Sequence, residues 1–282
     1  MKTNVIYNED CLEGMKKLPD NSIDLTVTSP PYDDLRDYEG FEWDFYGIAE
    51  ELYRITKQGG IVVWVVNDQT KNGSETLSSF RQALYFIDEV GFKMHDTMLY
   101  AKNNPVPLTH NRYEQQFEYM FVLAKGKPKT FNPIMVDTKN AGTERNVNYE
   151  VGATNDNASI RSGMDRSWKV KDKRIKYNIW FYNIGSGQSS TDKVAHQHPA
   201  LFPEKLAKDH IKSWSNKGDV VLDPFAGSGT TLKMAELLNR EWIGYELSKK
   251  YINIAYKRLG KLDKIYYNQL PEEERPAQQQ LF

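Results

Sequence analysis

The chain has 282 residues, 39% of them hydrophobic, enough for one large α/β domain with an insert or for two modest domains. A formal charge of -1 excludes a generic polycation, so any nucleic-acid surface must be a local patch. The single cysteine, Cys11, excludes an internal disulfide framework; no apolar run reaches membrane-span length and no leader-like segment opens the chain, so the reading is a cytoplasmic protein.

In chain order, Asn4 to Tyr7 and Ser22 to Thr28 read as short buried strands. Trp43 to Thr56 has helical spacing and is expected to stop near Gly59-Gly60. Ile61 to Val66 (IVVWVV) reads as a strand buried on both faces. Leu77 to Val90 reads as an amphipathic helix closed by Gly91, and Lys93 to Tyr100 and Phe117 to Ala124 as further strands. Beyond a break come a helix over Pro203 to Trp214, a strand over Asp219 to Leu222 and a helix over Thr230 to Leu238. A strand over Trp242 to Leu247 and a helix over Lys249 to Leu259 complete the frame. Strands alternating with helices of this length predict an α/β fold with a mostly parallel sheet covered on both faces.

The stretch 125–193 breaks the pattern. It is polar, lacks a sustained period, and carries thirteen lysines and arginines against seven acids, a net +6 inside a chain of net -1. A basic insert in an acidic scaffold points to contact with phosphates, although composition alone favours a flexible surface loop. The expected division is therefore a discontinuous frame (1–124 and 194–265), an insert (125–193) and a flexible tail (266–282) poor in core-forming residues.

Two segments carry the chemistry. Asp223-Pro224-Phe225-Ala226-Gly227-Ser228-Gly229-Thr230-Thr231 sits where a buried strand turns into a helix, and its glycines let backbone approach a ligand. No lysine follows the glycines, and the third glycine of a dinucleotide fingerprint is replaced by Leu232, so the loop need not hold phosphate. Glu246, at the end of the next strand, can accept hydrogen bonds from ribose hydroxyls, and Asp223 can pair with an ammonium. Ammonium, carboxylate and ribose without phosphate describe S-adenosyl-L-methionine. The second segment, Thr28-Ser29-Pro30-Pro31-Tyr32, is stiff and presents carbonyls rather than donors. Ser29 Oγ and the Pro30 carbonyl can accept the two protons of an aromatic amine, and Tyr32 can stack on its ring; a strand-ending Pro-Pro turn with a packing tyrosine is the plainer alternative.

Together, Ser-Pro-Pro-Tyr and Asp-Pro-Phe-Ala-Gly-Ser-Gly-Thr-Thr resemble the amino-group DNA methyltransferases (N4-cytosine/N6-adenine, Ser-Pro-Pro-Tyr type), which have a Rossmann-like fold and use S-adenosyl-L-methionine. The lead-in Asn8-Glu9-Asp10-Cys11-Leu12 and Leu18 to Leu25 is similar to that family's, and the resemblance implies that Asp10 and Cys11 border the cofactor's adenine. His198 to Leu206 resembles the helix-opening motif over the cofactor's methionine end, which brings Phe202 into the cofactor set with Asp223, Phe225, Gly227, Gly229, Thr230 and Glu246. The catalytic loop precedes the cofactor loop, a circularly permuted order that resembles the β group and makes the insert a target-recognition region. Double-stranded DNA is the implied substrate, with the target base flipped out toward Tyr32. The loop 103–112 and Arg112, Arg161, Arg166, Lys171, Lys173 and Arg174 are the expected DNA contacts.

Many adenine-N6 enzymes of this kind carry Asp where this chain has Ser29. The resemblance therefore implies cytosine N4 as target, with adenine N6 of the same family as the alternative. A non-catalytic DNA-binding subunit and an RNA methyltransferase are the rivals from other classes. Cytosine-C5 chemistry lacks a thiolate in the loop, and His196 and His198 make no convincing metal-ligand set. The closing Gln278-Gln279-Gln280-Leu281-Phe282 fits the Gln-x-x-Leu-Phe form of sliding-clamp peptides, so Gln278, Leu281 and Phe282 are expected clamp contacts. A cognate restriction endonuclease is the further partner the resemblance admits.

Overall fold

The structure, a computed structural model, describes residues 1–31, 43–105, 112–147, 166–185, 187–190, 192, 194–195, 201 and 203–260; of 146, 147 and 166 it describes the backbone alone. Packing divides the chain into a large unit, 1–132 with 178–282, and a small unit, 133–177.

In the large unit the elements run β1 (Val5–Tyr7), α1 (Cys11–Met15), β2 (Ile23–Thr28), α2 (Phe45–Ile55), β3 (Thr56–Val66), the hairpin β4 (Thr70–Lys71) and β5 (Ser74–Glu75), α3 (Ser78–Asp88), β6 (Lys93–Lys102) and β7 (Phe117–Ala124). Among the described residues of the small unit are two antiparallel pairs. In it β8 (Met135–Asp137) pairs with β11 (Lys173–Ile175), and β9 (Glu144–Val147) with β10 (Arg166–Lys169). The large unit resumes with β12 (Ile179–Tyr182), α4 (Glu204–Trp214), β13 (Val220–Asp223), α5 (Thr230–Leu237), β14 (Glu241–Tyr245) and α6 (Lys249–Arg258).

Eight strands form one sheet in the order β1-β14-β13-β2-β3-β7-β6-β12. β7 alone runs antiparallel to its neighbours, β3 and β6; every other pairing is parallel. Alternation divides the core. Val62, Trp64 and Val66 of β3 face a cluster that includes Met15 of α1, Ile48 and Leu52 of α2 and Phe86 of α3. Ile61, Val63 and Val65 point to the opposite face, where α4 packs on β2, and α5 on β13 and β14. The apolar run IVVWVV is thus buried on both sides, as a central strand of a doubly covered sheet must be.

Local chemistry sets the boundaries. Asp44 caps α2 by accepting from Gly47 N at 3.1 Å, and Ile48, Ala49, Leu52 and Ile55 make its buried stripe. The helix ends at Ile55 and not near Gly59-Gly60, because the chain turns extended at Thr56 and enters β3 at once. The two glycines lie inside a bulge, where Thr56 to Ile61 oppose Ile23 to Leu25 of β2. A Cβ on Gly60 would come within 2.9 Å of the Asp24 carbonyl oxygen, so only glycine fits.

The small unit is narrower than the expected insert of 125–193. At one end Lys125 Nζ donates to the Tyr53 carbonyl at 2.7 Å and Asn132 N donates to the Ser213 carbonyl at 2.8 Å, tying 125–132 to the large unit. At the other end the segment Ile-Trp-Phe-Tyr of β12 buries Trp180 and Tyr182 and pairs with β6. Short alternating strands inside a polar stretch escaped the periodicity test. Among the described residues no helix is long and apolar enough to cross a membrane.

Candidate active site

β2, β13 and β14 are consecutive in the sheet and parallel, so their carboxyl ends lie side by side. Such an edge is where open α/β sheets bind ligands. β2 delivers Thr28, then half-buried Ser29, buried Pro30 and half-buried Pro31. β13 ends on Asp223 and turns through the glycine loop into α5, and β14 is followed by Glu246.

Asp223 is 2% exposed. Its Oδ1 accepts from Thr28 Oγ1 at 2.7 Å and from Phe225 N at 3.1 Å. Burial pushes its carboxyl up from 3.8 to about 6, against the pull of the Thr28 and Phe225 donors and with a further push from the Glu246 charge. The hydrogen bond from Thr28 joins residues 195 apart in sequence and brings the Ser-Pro-Pro turn against the glycine loop. Glu246 closes the other side. Its Oε2 accepts from Gly227 N at 2.9 Å and its Oε1 from Ser248 N at 2.8 Å, so the carboxylate holds the loop.

Asp10 serves first as the N-cap of α1, accepting from Leu12 N at 2.9 Å and Glu13 N at 3.2 Å through Oδ1. Cys11 is 6% exposed in the core cluster; burial, then the Asp10 charge, push its thiol far up, so it stays protonated and supplies no thiolate. Phe225 packs edge-on to Trp43, with ring centroids 5.3 Å apart, and so couples the loop to the aromatic core around Trp64.

The loop has a buried underside that sequence reasoning missed. Gly229 caps α5 at φ +76°, and a Cβ there would lie 2.7 Å from Ala255 Cβ of α6. That close approach lets Arg258 reach beneath the loop. Its fully buried guanidinium donates to the Ser228 carbonyl at 2.6 Å, Ser228 Oγ at 2.9 Å and Thr230 Oγ1 at 3.0 Å. It also pairs with Glu204 at 2.7 Å and Asp192 at 3.2 Å, and Lys233 bonds the same two carboxylates at 2.9 and 2.6 Å. Burial alone would raise the Glu204 carboxyl, but donors from Lys233, Ser190 and Arg258 outweigh it and hold the group below its ordinary range; Asp192 is depressed in the same way by Lys233 and Arg258. A basic residue in the last turn of an amphipathic helix reads as a solvated end, so nothing in the pattern singled out Arg258.

Ser29, Pro30, Pro31, Asp223, Phe225, Gly227, Gly229, Thr230 and Glu246 therefore gather at one sheet edge, with Asp10 and Cys11 at the start of α1 beyond β1. Tyr32 and Phe202 lie outside the described residues, as do Arg161, Gln278, Leu281 and Phe282. Arg112 is engaged within the large unit. It donates to the Gly73 carbonyl and lies 3.9 Å from Glu75 of the β4–β5 hairpin, so a phosphate would compete with these partners. Lys171 and Lys173 are exposed in the small unit, and Arg174 stacks over Tyr177 at 3.7 Å. Arg166 pairs through its backbone with Val147.

A family model described as DNA methylase matches residues 23–257. An orphan methyltransferase, M.BamHII of Bacillus amyloliquefaciens, is 53% identical over 246 residues, covering 86% of this chain and 91% of its own. The DNA adenine methyltransferase YhdJ of Escherichia coli (strain K12) is 26% identical over 92% of this chain and 83% of its own. Among solved structures, PvuII DNA methyltransferase (cytosine-N4-specific) superposes with a TM-score of 0.69 at 20% identity, covering 100% of this chain and 90% of that one. The complex of M1.HpyAVI with S-adenosylmethionine gives 0.59 at 24% identity, covering 90% and 98%.

Proposed function

This chain belongs to the DNA methylase family, whose methyl donor is S-adenosyl-L-methionine, and on that premise we propose that it methylates the exocyclic N4 amine of cytosine at a specific DNA site. The observation that carries the reading is the Thr28–Asp223 hydrogen bond, which sets the Ser-Pro-Pro turn against the glycine loop.

The residues present fit the cofactor. Asp223 and Glu246 supply two carboxylates at the sheet edge, suited to an ammonium and to ribose hydroxyls, with Phe225, Gly227, Gly229 and Thr230 between them. The cations beneath the loop, Arg258 and Lys233, are matched by Glu204 and Asp192 and offer no phosphate site. When bound, S-adenosylmethionine supplies an electrophilic methyl group on its sulfonium. Ser29 Oγ and the Pro30 carbonyl accept the hydrogens of the target amine, which draws its lone pair out of the aromatic ring and toward that methyl. Pro30 and Pro31 bring no backbone donor that would compete for the nitrogen. Tyr32 stacks on a base flipped from the duplex. Asp10 and Cys11 border the adenine, and Phe202 the methionine end.

Ser29 favours cytosine. An Asp here would bind the amine through a charge-assisted hydrogen bond, and a neutral hydroxyl binds it less strongly. Adenine N6 presents the same local N–C–NH2 chemistry and is the second reading, supported by likeness to YhdJ. The small unit with Lys171, Lys173 and Arg174, joined by Arg161 and Arg166, is the target-recognition region, where the cations meet phosphate or base edges. Gln278, Leu281 and Phe282 form a sliding-clamp peptide.

The deciding experiment is methylation of plasmid DNA, digestion to nucleosides and mass spectrometry of the products. N4-methylcytosine is expected. N6-methyladenine would establish the second reading, while transfer to RNA alone or no transfer at all would overturn the proposal.

A further inference from the structure

The last backbone pairing between β2 and β13 joins Thr26 to Leu222. Beyond it the strands diverge, and buried hydroxyls take over. Thr28 Oγ1 donates to Asp223 Oδ1 at 2.7 Å, and Thr231 Oγ1, from the first turn of α5, donates to the Val27 carbonyl at 3.0 Å. Both threonines are 0% exposed. A hydroxyl has one proton to give. That of Thr28 is committed to Asp223, one residue before the turn that receives the amine.

We propose that Thr28 is a positioning residue for methyl transfer: its hydroxyl orients the Asp223 carboxylate toward the cofactor and locks Ser29 in register with the cofactor loop. The inference rests on the reading of Asp223 as the ammonium partner. A plain strand-forming role would be filled equally well by valine, which has the same shape and β-branching.

The two roles differ in what they do to the carboxylate. Donation by Thr28 stabilises the charged form of Asp223, which burial opposes. The other groups facing Asp223 are Glu246 after β14, Cys11 on α1, Thr231 on α5 and the Phe225 amide. Glu246 is held by Gly227 N and Ser248 N, and Cys11 is a neutral thiol. Removing the Thr28 donor changes none of these, so its effect should appear as a displaced titration.

The test is isothermal titration of the full chain with S-adenosylmethionine across about pH 5 to 8, for the wild type, Thr28→Val, Thr28→Ser and Asp223→Asn. Thr28→Val is expected to weaken binding about tenfold at neutral pH, as loss of a hydrogen bond to a charged group implies. The pH below which binding fails should move upward, and Thr28→Ser should restore both. If Asp223→Asn weakens binding while Thr28→Val matches the wild type in affinity and pH profile, the inference fails and the reading of Asp223 stands. Weakened binding with an unmoved profile, or without rescue by serine, also overturns it. If Asp223→Asn binds like the wild type, the reading falls and takes the inference with it. Should Thr28→Val not fold, Thr28→Cys keeps the volume with a weak donor and gives the same readout.

Discussion

Replacing Asp223 by asparagine should stabilise the ligand-free protein at neutral pH while abolishing tight cofactor binding. The carboxyl is raised from 3.8 to about 6 by burial, so between those values the folded protein holds a proton that the unfolded chain has released. Wild-type stability therefore falls as pH rises from 3.8 toward 6 and stays reduced above it. At 1.36 kcal/mol per pKa unit the swing is roughly 3 kcal/mol, or about 6–12 °C in melting temperature for a chain near this length. Asparagine mimics the protonated acid at every pH. The difference in stability between Asp223→Asn and wild type should thus grow across this window and then level off. Any packing penalty of the amide shifts the whole curve and leaves the swing intact. Calorimetric melts of both proteins across the range, with parallel cofactor titrations at neutral pH, measure it. A difference that stays flat with pH, or grows toward acid, would show that Asp223 is not a carboxylate ionised at a cost, and the reasoning would be refuted.

Arg258→Met should lower stability by about 3 kcal/mol, because it strands Glu204 and Asp192 with Lys233 alone. It should also weaken cofactor binding through the Ser228–Thr230 turn; a melt indistinguishable from wild type would contradict this. Gly229→Ala combines a left-handed φ with a clash at Ala255, and a loss of about 2–4 kcal/mol is expected from chemical denaturation. Retention of wild-type stability would mean that α6 yields at Ala255. Ser29→Ala should reduce kcat roughly a hundredfold with cofactor affinity unchanged, read from single-turnover kinetics; a wild-type rate would remove Ser29 from the site. Deleting residues 278–282 should abolish co-elution with a sliding clamp and leave methylation of short duplexes intact, and equal co-elution would exclude the tail as the contact.

The frame was legible wherever burial leaves a long imprint. The run over Ile61–Val66, the stripe of α2 and the glycine loop between β13 and α5 each announce themselves over several residues. Short or interrupted elements left too little pattern. α1 spans five residues and rests on the Asp10 cap, and β12 spans four inside a basic polar stretch. The Asn72-Gly73 turn of the β4–β5 hairpin, both residues at positive φ, is a signal that passed unread. At the site, the motifs pointed to residues that the structure brings to one sheet edge. They could not expose Arg258 or the link from Thr28, because those contacts join positions 28 to 195 residues apart and depend on which strand ends become neighbours.

The order of the sheet bears on how the protein is made. Among the described strands β1 lies at the edge beside β14, so Val5–Tyr7 must wait for Ile243–Tyr245 before it can pair. β13 must likewise be added beside β2 before Asp223 can meet Thr28. Contacts of such sequence separation form late and slowly. On the ribosome the Ser-Pro-Pro turn is therefore synthesised long before the glycine loop exists, and a chain arrested short of α6 would lack the Arg258 guanidinium that holds that loop from beneath.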